Sequence, residues 1–375
     1  MPIKVCVITS VHPRFDTRIF NKECLSLVRS GYDVSLIVAD GLGDEEVNNL
    51  RILDVGLCNN SRVLRMSVVV WRTFKKTLEI DPEIIHLHDP ELMWMIPFLR
   101  LLGKKVIFDM HEDLVKQMAS KAWIVPFFRK PVAYITGVAC RLFLSNVSVV
   151  FAETSYAKSY PWINRTVDLL NMPLVNRECK SLSKRFNHNR ISVGYIGRVS
   201  ELRGSLDTVR ALNLLNDRGV DAHWECVGQV SPSGHKKEML DIAKPDVVSN
   251  IIFHGRMSSV EGLDIISSCD IGLALLHPIP NYLESYPTKM FEYMMLGIPV
   301  IASNFPLYRK IIENVSCGIV VDPQNSEEIA NAIKWLMDHP DDAVLMGQNG
   351  MKAVSTKYNW VFEEQKLLVL YKGLI

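Results

Sequence analysis

No apolar run in the 375-residue chain reaches the roughly 18 residues that a membrane-spanning helix needs. The opening "MPIKVCVITSVHPRFD" is apolar for only a few residues before His12-Pro13, which argues against a secretory leader and for a first buried strand. The eight cysteines are scattered and form no CxxC pair. Neither a disulfide frame nor a cysteine zinc site is therefore expected, and reduced thiols in a cytoplasmic protein are. Charge of one sign is also lacking: 42 Lys+Arg stand against 41 Asp+Glu, so nothing points to a nucleic-acid partner. Short repeats and low-complexity tracts are absent as well.

What the chain does have is length for two cores and an ordinary globular composition, 48% hydrophobic and 22% charged. Short apolar runs alternate with amphipathic stretches. In the first half they are "IKVCVIT", "DVSLIVA", "EIIHLH", "KVIFDM" and "SVVFA". In the second they are "ISVGYIG", "AHWECVG", "IIFHG", "DIGLALL", "IPVIAS" and "GIVV". Continuous apolar strands separated by helices predict parallel sheets covered on both faces. Two such series predict an α/β protein of two doubly wound, Rossmann-like domains facing across a cleft. The polar, basic stretch 174–190, "LVNRECKSLSKRFNHNR", reads as the linker. The expected domains are 1–176 and 190–358, with a terminal helix over 359–375 packing back on the first. Ligands of such sheets sit beyond the carboxyl ends of strands, so chemistry is sought in the loops that follow them.

After "ISVGYI" comes "GRVSELRG". Gly197 lets backbone pass close to a ligand, and Arg198 and Arg203 place two guanidiniums at a helix start, a set suited to a diphosphate. An exposed pair of loop arginines would look the same. After "DIGLALL" comes "HPIPNYLESYPTKMFEYMMLGIPVIAS". Pro287 suits the first turn of a helix running to Met295. Glu284 then lies in the loop before that helix and Glu292 more than one turn inside it. Free N–H groups of the first turn lie between them, ready for phosphate. Each carboxylate can accept from a pair of vicinal hydroxyls. Acids near a helix start are common, so the spacing alone decides nothing.

Taken together, "GYIGRVSELRG", "IIFHG", "CDIGLALL" and "ESYPTKMFEYMMLGIPVIAS" resemble the GT-B glycosyltransferases of family 4, the group 1 glycosyltransferases. The last piece matches the family's E-x7-E motif followed by G-x-P-V-I. The resemblance covers most of 190–360 in order and fits the first half more loosely. It implies that Glu284 contacts the donor sugar, Glu292 the nucleotide ribose, and Arg198 and Arg203 the diphosphate. Arginine at the second basic place departs from the family's usual lysine, and the two are not interchangeable. Thr288 and Lys289 begin the same helix, where Lys289 would add charge against the leaving group. His254-Gly255-Arg256 falls where the family places the nucleotide base. His111 at the end of "KVIFDMHED" would face the transferred sugar. His86, His88 and Asp89 end the preceding strand, also near the cleft.

A metal held by His88 and His111 is the alternative there; the family pattern accounts for the loops without one, so no metal is expected. Nor does the chain contain the D-x-D triplet that clamps metal and diphosphate in the other main glycosyltransferase fold. The first loop, His12-Pro13-Arg14-Phe15-Asp16, lacks the paired glycines many members have; Arg14 or Asp16 are its candidates to meet the acceptor. Residues 116–141 carry Lys116, Lys121, Arg129, Lys130 and Arg141 among Trp123, Phe127 and Phe128, and no acid. Such a segment suits an anionic membrane surface, or equally a helix pair packed into the first domain.

The resemblance implies a retaining transfer of sugar from a nucleoside diphosphate donor, UDP by default, to an acceptor hydroxyl. No cofactor is needed beyond that substrate. The acceptor side is a glycan or lipid-linked glycan, in a surface polysaccharide or O-antigen pathway, at the inner face of a membrane. The departing diphosphate can itself take the acceptor's proton, so no strong protein base is required. The rival readings are a nucleotide-sugar epimerase of the same fold and a non-catalytic nucleotide-sugar-binding protein.

Overall fold

In the computed structural model the described residues are 2–57, 65–120, 124–175, 186 and 190–375. Most of the expected linker 174–190, and Lys121 and Trp123 of the basic segment, lie outside them. The chain divides into two compact units, one of Met1–Asn171 with Trp360–Ile375, the other of Met172–Asn359.

The first unit is built on eight strands: β1 (Lys4–Ile8), β2 (Asp33–Val38), β3 (Glu45–Val47), β4 (Leu50–Asp54), β5 (Ile84–Leu87), β6 (Lys105–Met110), β7 (Ser148–Phe151) and β8 (Thr166–Asp168). Their order is β3-β4-β2-β1-β5-β6-β7-β8, parallel throughout except the antiparallel edge pair β3/β4. All residues of β5 and β7 are buried, as strands covered on both faces by helices must be. Strand order reverses between β1 and β5. The terminal helix Trp360–Lys372 belongs to this unit: Trp360 Nε1 donates to Ser26 Oγ at 2.9 Å, and Glu363 accepts from the Leu170 N–H at 2.9 Å.

The second unit holds β9 (Arg190–Ile196), β10 (Asp221–Val227), β11 (Ile251–Gly255), β12 (Ile271–Ala274), β13 (Val300–Ser303) and β14 (Gly318–Val321). They pair in parallel in the order β11-β10-β9-β12-β13-β14, the doubly wound order whose switch point lies between β9 and β12. Its core gathers Val193, Trp224, Leu273 and Ile301 from the strands with Leu212, Ile333 and Leu336 from the flanking helices. The helix Thr288–Met295 begins at Pro287, which occupies the capping position rather than the first turn. This helix comes down onto the sheet because Gly272 has no side chain: a Cβ there would stand 2.3 Å from the ring of Tyr293. The same tyrosine ties the helix to both strands of the switch point. Its hydroxyl donates to Leu273 O at 3.1 Å and accepts from the Ile196 N–H at 3.1 Å.

Candidate active site

The donor-side residues gather where β9 ends. Gly197 has φ of 122°, a conformation other residues rarely adopt, and an added Cβ would lie 3.5 Å from Arg203 Nη1 and 3.6 Å from Lys289 Nζ. Two cations from separate elements thus close on one bare stretch of backbone. Lys289 is buried, and among the described residues its Nζ has no hydrogen-bond partner. It rests 3.7 Å from the centroid of the Tyr195 ring. Burial, and then the neighbouring guanidinium of Arg203, drive its pKa well below the usual lysine range, and Glu292 one turn along the helix partly restores it. Arg203 lies in the short turn Glu201–Arg203 that precedes the helix Ser205–Asp217, with its guanidinium 5.9 Å from the Tyr282 ring centroid.

A buried, uncompensated ammonium beside a guanidinium is costly unless an anion joins them. Both lie over Gly197, and Lys289 belongs to the first turn of the helix Thr288–Met295, whose first N–H groups favour the same negative charge. Glu292 and Thr288 are half-buried on that helix, while Glu284 is exposed just before it, at the end of the short turn Pro280–Leu283. Arg198 and Arg256 are exposed in the loops after β9 and β11. His254, within β11, is half-buried. It bonds Glu225 at 2.5 Å and lines, with Ser192, His223 and Cys269, a cavity of about 310 Å³. At Gly255 the backbone turns with φ of 72°.

In the first unit the carboxyl ends of β1, β5 and β6 bring histidines and acids together. His88 Nδ1 and His111 Nε2 share a hydrogen bond of 3.1 Å, and Asp109 Oδ2 lies 3.5 and 3.4 Å from those two nitrogens. His111 is partly exposed, whereas His88, His86, Glu23 and Asp109 are fully enclosed. Arg18 binds Asp109 through Nε at 3.0 Å and Nη2 at 2.9 Å, and Glu23 through Nε at 3.0 Å.

Burial opposes ionisation of Asp109, yet Arg18 and His111 hold its carboxyl well below the usual range. Burial and the Asp109 charge push Glu23 well above it. Burial lowers His86 to about 4 and takes His88 well below the usual value, so both rings stay neutral. Glu23, His86, His88 and Asp109 bring donor atoms within 4.8 Å of one another, and the Arg18 guanidinium sits among them, bonded to Asp109 and 3.0 Å from a Glu23 oxygen.

Arg14 and Asp16, the candidates for meeting an acceptor, are engaged in building the loop. Arg14 is buried and paired with Asp40 at 2.7 Å and Glu45 at 2.8 Å. Asp16 accepts from the N–H groups of Arg18 and Ile19 at 2.8 and 3.0 Å. Sequence reading passed over Arg18 and Glu23. The only signal was a charged triplet, Arg18, Lys22 and Glu23, inside an otherwise amphipathic run, and all three prove buried.

Two family models match the chain: "Glycosyl transferases group 1" over residues 177–353 and "Glycosyl transferase 4-like domain" over residues 18–159. The chain is a GT-B protein with group 1 glycosyltransferase domains. This glycosyltransferase-family chain is 27% identical over 186 residues to an alpha-D-kanosaminyltransferase of Streptomyces kanamyceticus, covering 50% of the chain and 46% of that protein. It is 23% identical over 291 residues to the D-rhamnosyltransferase WbpZ of Pseudomonas aeruginosa, covering 76% and 71%. The chain thus spans about half the length of the first relative and more of the second. Among solved structures it shares the fold of a sucrose-phosphate synthase from Thermosynechococcus elongatus, with TM-score 0.77, 18% identity and 99% of both chains covered. It likewise shares the fold of Anabaena HepE, solved with UDP and glucose, with TM-score 0.74, 13% identity and 99% and 100% covered.

Proposed function

We propose that the protein transfers a sugar from a nucleoside diphosphate donor to an acceptor hydroxyl. The observation that carries this is the pair Arg203 and Lys289 closing on Gly197 at a helix start, with Lys289 buried and lacking a hydrogen-bond partner among the described residues. A diphosphate supplies the missing negative charge, and as it leaves, the charge growing on it meets cations already in place. Glu284 and Glu292 hold hydroxyls of the donor, and His111 faces the transferred sugar. UDP is the expected base carrier: the Anabaena HepE structure contains it. Retention of anomeric configuration follows from the family pattern, and NMR of the product's anomeric proton reads it directly. A surface glycan is the acceptor that the family resemblance implies.

The test is melting of the purified protein with UDP, GDP, ADP and their sugars, in EDTA. One nucleotide should shift the midpoint, and Glu292→Ala and Arg198→Ala should each lose the shift. No shift with any nucleotide overturns the reading. Interconversion of donor sugars without an acceptor would instead identify an epimerase.

A lipid-linked acceptor fits one face of the first unit. The helix Pro126–Leu144 carries no acid and exposes Phe127, Tyr134, Ile135 and Leu142 together with Lys130 and Arg141. An apolar, basic face matches an anionic bilayer surface, on which a helix can lie without crossing. Among the described residues no helix is long and apolar enough to cross a membrane. The protein should float with vesicles containing phosphatidylglycerol and not with pure phosphatidylcholine. Phe127→Ser combined with Lys130→Glu should abolish that flotation, and absence of flotation in the native protein removes the membrane from the proposal.

A further inference from the structure

The parallel order sets β9 between β10 and β12, so the helix Ser205–Asp217 that follows β9 starts between the loops leaving its two neighbours. A buried histidine reaches its first turn from each side. After β10, at the head of the helix His235–Ile242, His235 Nε2 meets Ser205 Oγ at 2.7 Å and Nδ1 meets Glu238 Oε2 at 2.7 Å. After β12, His277 Nε2 lies 2.8 Å from Asp207 Oδ2. A carboxylate can only accept, so this nitrogen carries the proton. The His277 N–H also donates to Leu202 O at 3.0 Å, in the turn Glu201–Arg203. Gly204 permits the close approach: its φ is 74°, and an added Cβ would stand 2.6 Å from Leu275 O. One residue before His277, Leu276 is fixed in turn, its N–H and C=O both bonded to Ser303 Oγ at 2.7 Å.

Burying an imidazole and a carboxylate costs stability unless they meet, and they meet well only over a narrow range of distance and angle. Such a pair fixes an arrangement more than it adds net stability. The two histidines differ in what lies beyond them. The helix after His235 bears none of the residues assigned to the donor. The chain after His277 runs through the turn Pro280–Leu283 to Glu284, and Tyr282 on the way sets its ring centroid 5.9 Å from the Arg203 guanidinium. We propose that His277, paired with Asp207, is a positioning residue that sets the sugar-holding Glu284 in register with the diphosphate-holding Arg203.

This rests on the donor-site reading, in which Arg203 serves the diphosphate and Glu284 the sugar. His277 and Asp207 act through the loop between them and Glu284, not by touching the donor. With the pair broken, the Arg203 turn is still held to its helix, and that helix to His235 through Ser205. The loop, by contrast, loses its side-chain tie to the turn. Breaking the pair should therefore resemble the loss of Glu284, not the loss of Arg203. A nucleoside diphosphate without its sugar should bind almost as before.

The test is calorimetry with UDP, UDP-glucose, GDP and GDP-mannose. His277→Leu should weaken the nucleotide sugar at least about tenfold, the scale of a charge-assisted hydrogen bond, and leave the matching nucleoside diphosphate within about threefold. Glu284→Ala should show the same pattern, and the two substitutions together should cost no more than either alone. His277→Gln, whose amide can still donate to Asp207, should restore the native affinity. His235→Leu should lower the melting temperature yet leave the ratio of the two affinities within about threefold. Equal losses of both ligands in His277→Leu, additive losses with Glu284→Ala, or the same change of ratio in His235→Leu would mean that His277 only supports the fold, and would overturn the proposal. Unchanged binding of the nucleotide sugar in His277→Leu would overturn it too. If the native protein binds none of the four ligands, the glycosyltransferase reading fails, and the proposal with it.

Discussion

Lys289→Met should raise the melting temperature of the ligand-free protein and at the same time remove its response to nucleoside diphosphates. The two signs have one cause. In the free protein the amine of Lys289 is buried beside Arg203 and over the face of Tyr195, and Glu292 offsets only part of that cost. Relieving a buried, unpaired polar group is worth about 1–3 kcal/mol, and a thioether packs well on an aromatic ring. With diphosphate bound the ammonium becomes a partner, and its loss should weaken binding by about 10²-fold, the scale of one oriented charge-assisted contact. The pKa adds a pH signature. A lysine whose folded pKa lies below the unfolded value of 10.5 binds fewer protons when folded. The free protein should therefore gain stability as pH rises from the lowered folded value toward 10.5, and Lys289→Met should flatten that slope. A bound diphosphate raises that lowered pKa, so at a pH near it calorimetry in buffers of different ionisation enthalpy should show proton uptake in the native protein and none in the variant. Unchanged binding in the variant would mean that the diphosphate does not sit over Gly197.

The sequence shows the frame of this site more readily than its contents. Strands such as β1, β5 and β13 are legible because burial on both faces leaves an unbroken apolar run, and the loops after them follow from the parallel order. Lys289 could be placed at a helix start by counting. That its Nζ sits on Tyr195 beside Arg203 depends on how closely a helix can approach the sheet, which Gly272 and Tyr293 decide from different parts of the chain. Arg14 shows the opposite failure. As a charged residue in a loop after a strand it looks available to a ligand, yet Asp40 and Glu45, 26 and 31 residues on, claim it. The edge pair β3/β4 is not legible in the sequence because β3 is short, acidic and exposed, with no apolar run to mark it. His12 and Asp89 were each visible in their loops. Their pairing was not, because it follows from the adjacency of β1 and β5 in the sheet.

Arg18→Leu should cost about 3–5 kcal/mol of stability, the range for removing one partner of a buried ion pair. The guanidinium holds Asp109 and Glu23, both fully buried, and donates from Nη1 to Leu169 O at 2.8 Å. Leucine fills much of the volume but leaves the Asp109 carboxylate and the Leu169 carbonyl without their donor. The pH dependence separates this from a simple packing loss. In the native protein Asp109 has a folded pKa below its unfolded value of 3.8, so its contribution is complete above 3.8 and is lost as pH falls through the folded pKa. Without Arg18, desolvation dominates, and the Asp109 pKa should move above 3.8. The variant then gains stability as pH falls toward its unfolded value, by taking up a proton the unfolded chain does not hold. Urea unfolding at pH 7 and pH 5 should therefore show a smaller gap between variant and native protein at the lower pH. Adding Asp109→Asn should recover part of the loss, because it removes the charge that Arg18 had neutralised. A gap independent of pH and unrelieved by the second substitution would mean that the cluster is held by packing, not by the guanidinium's charge.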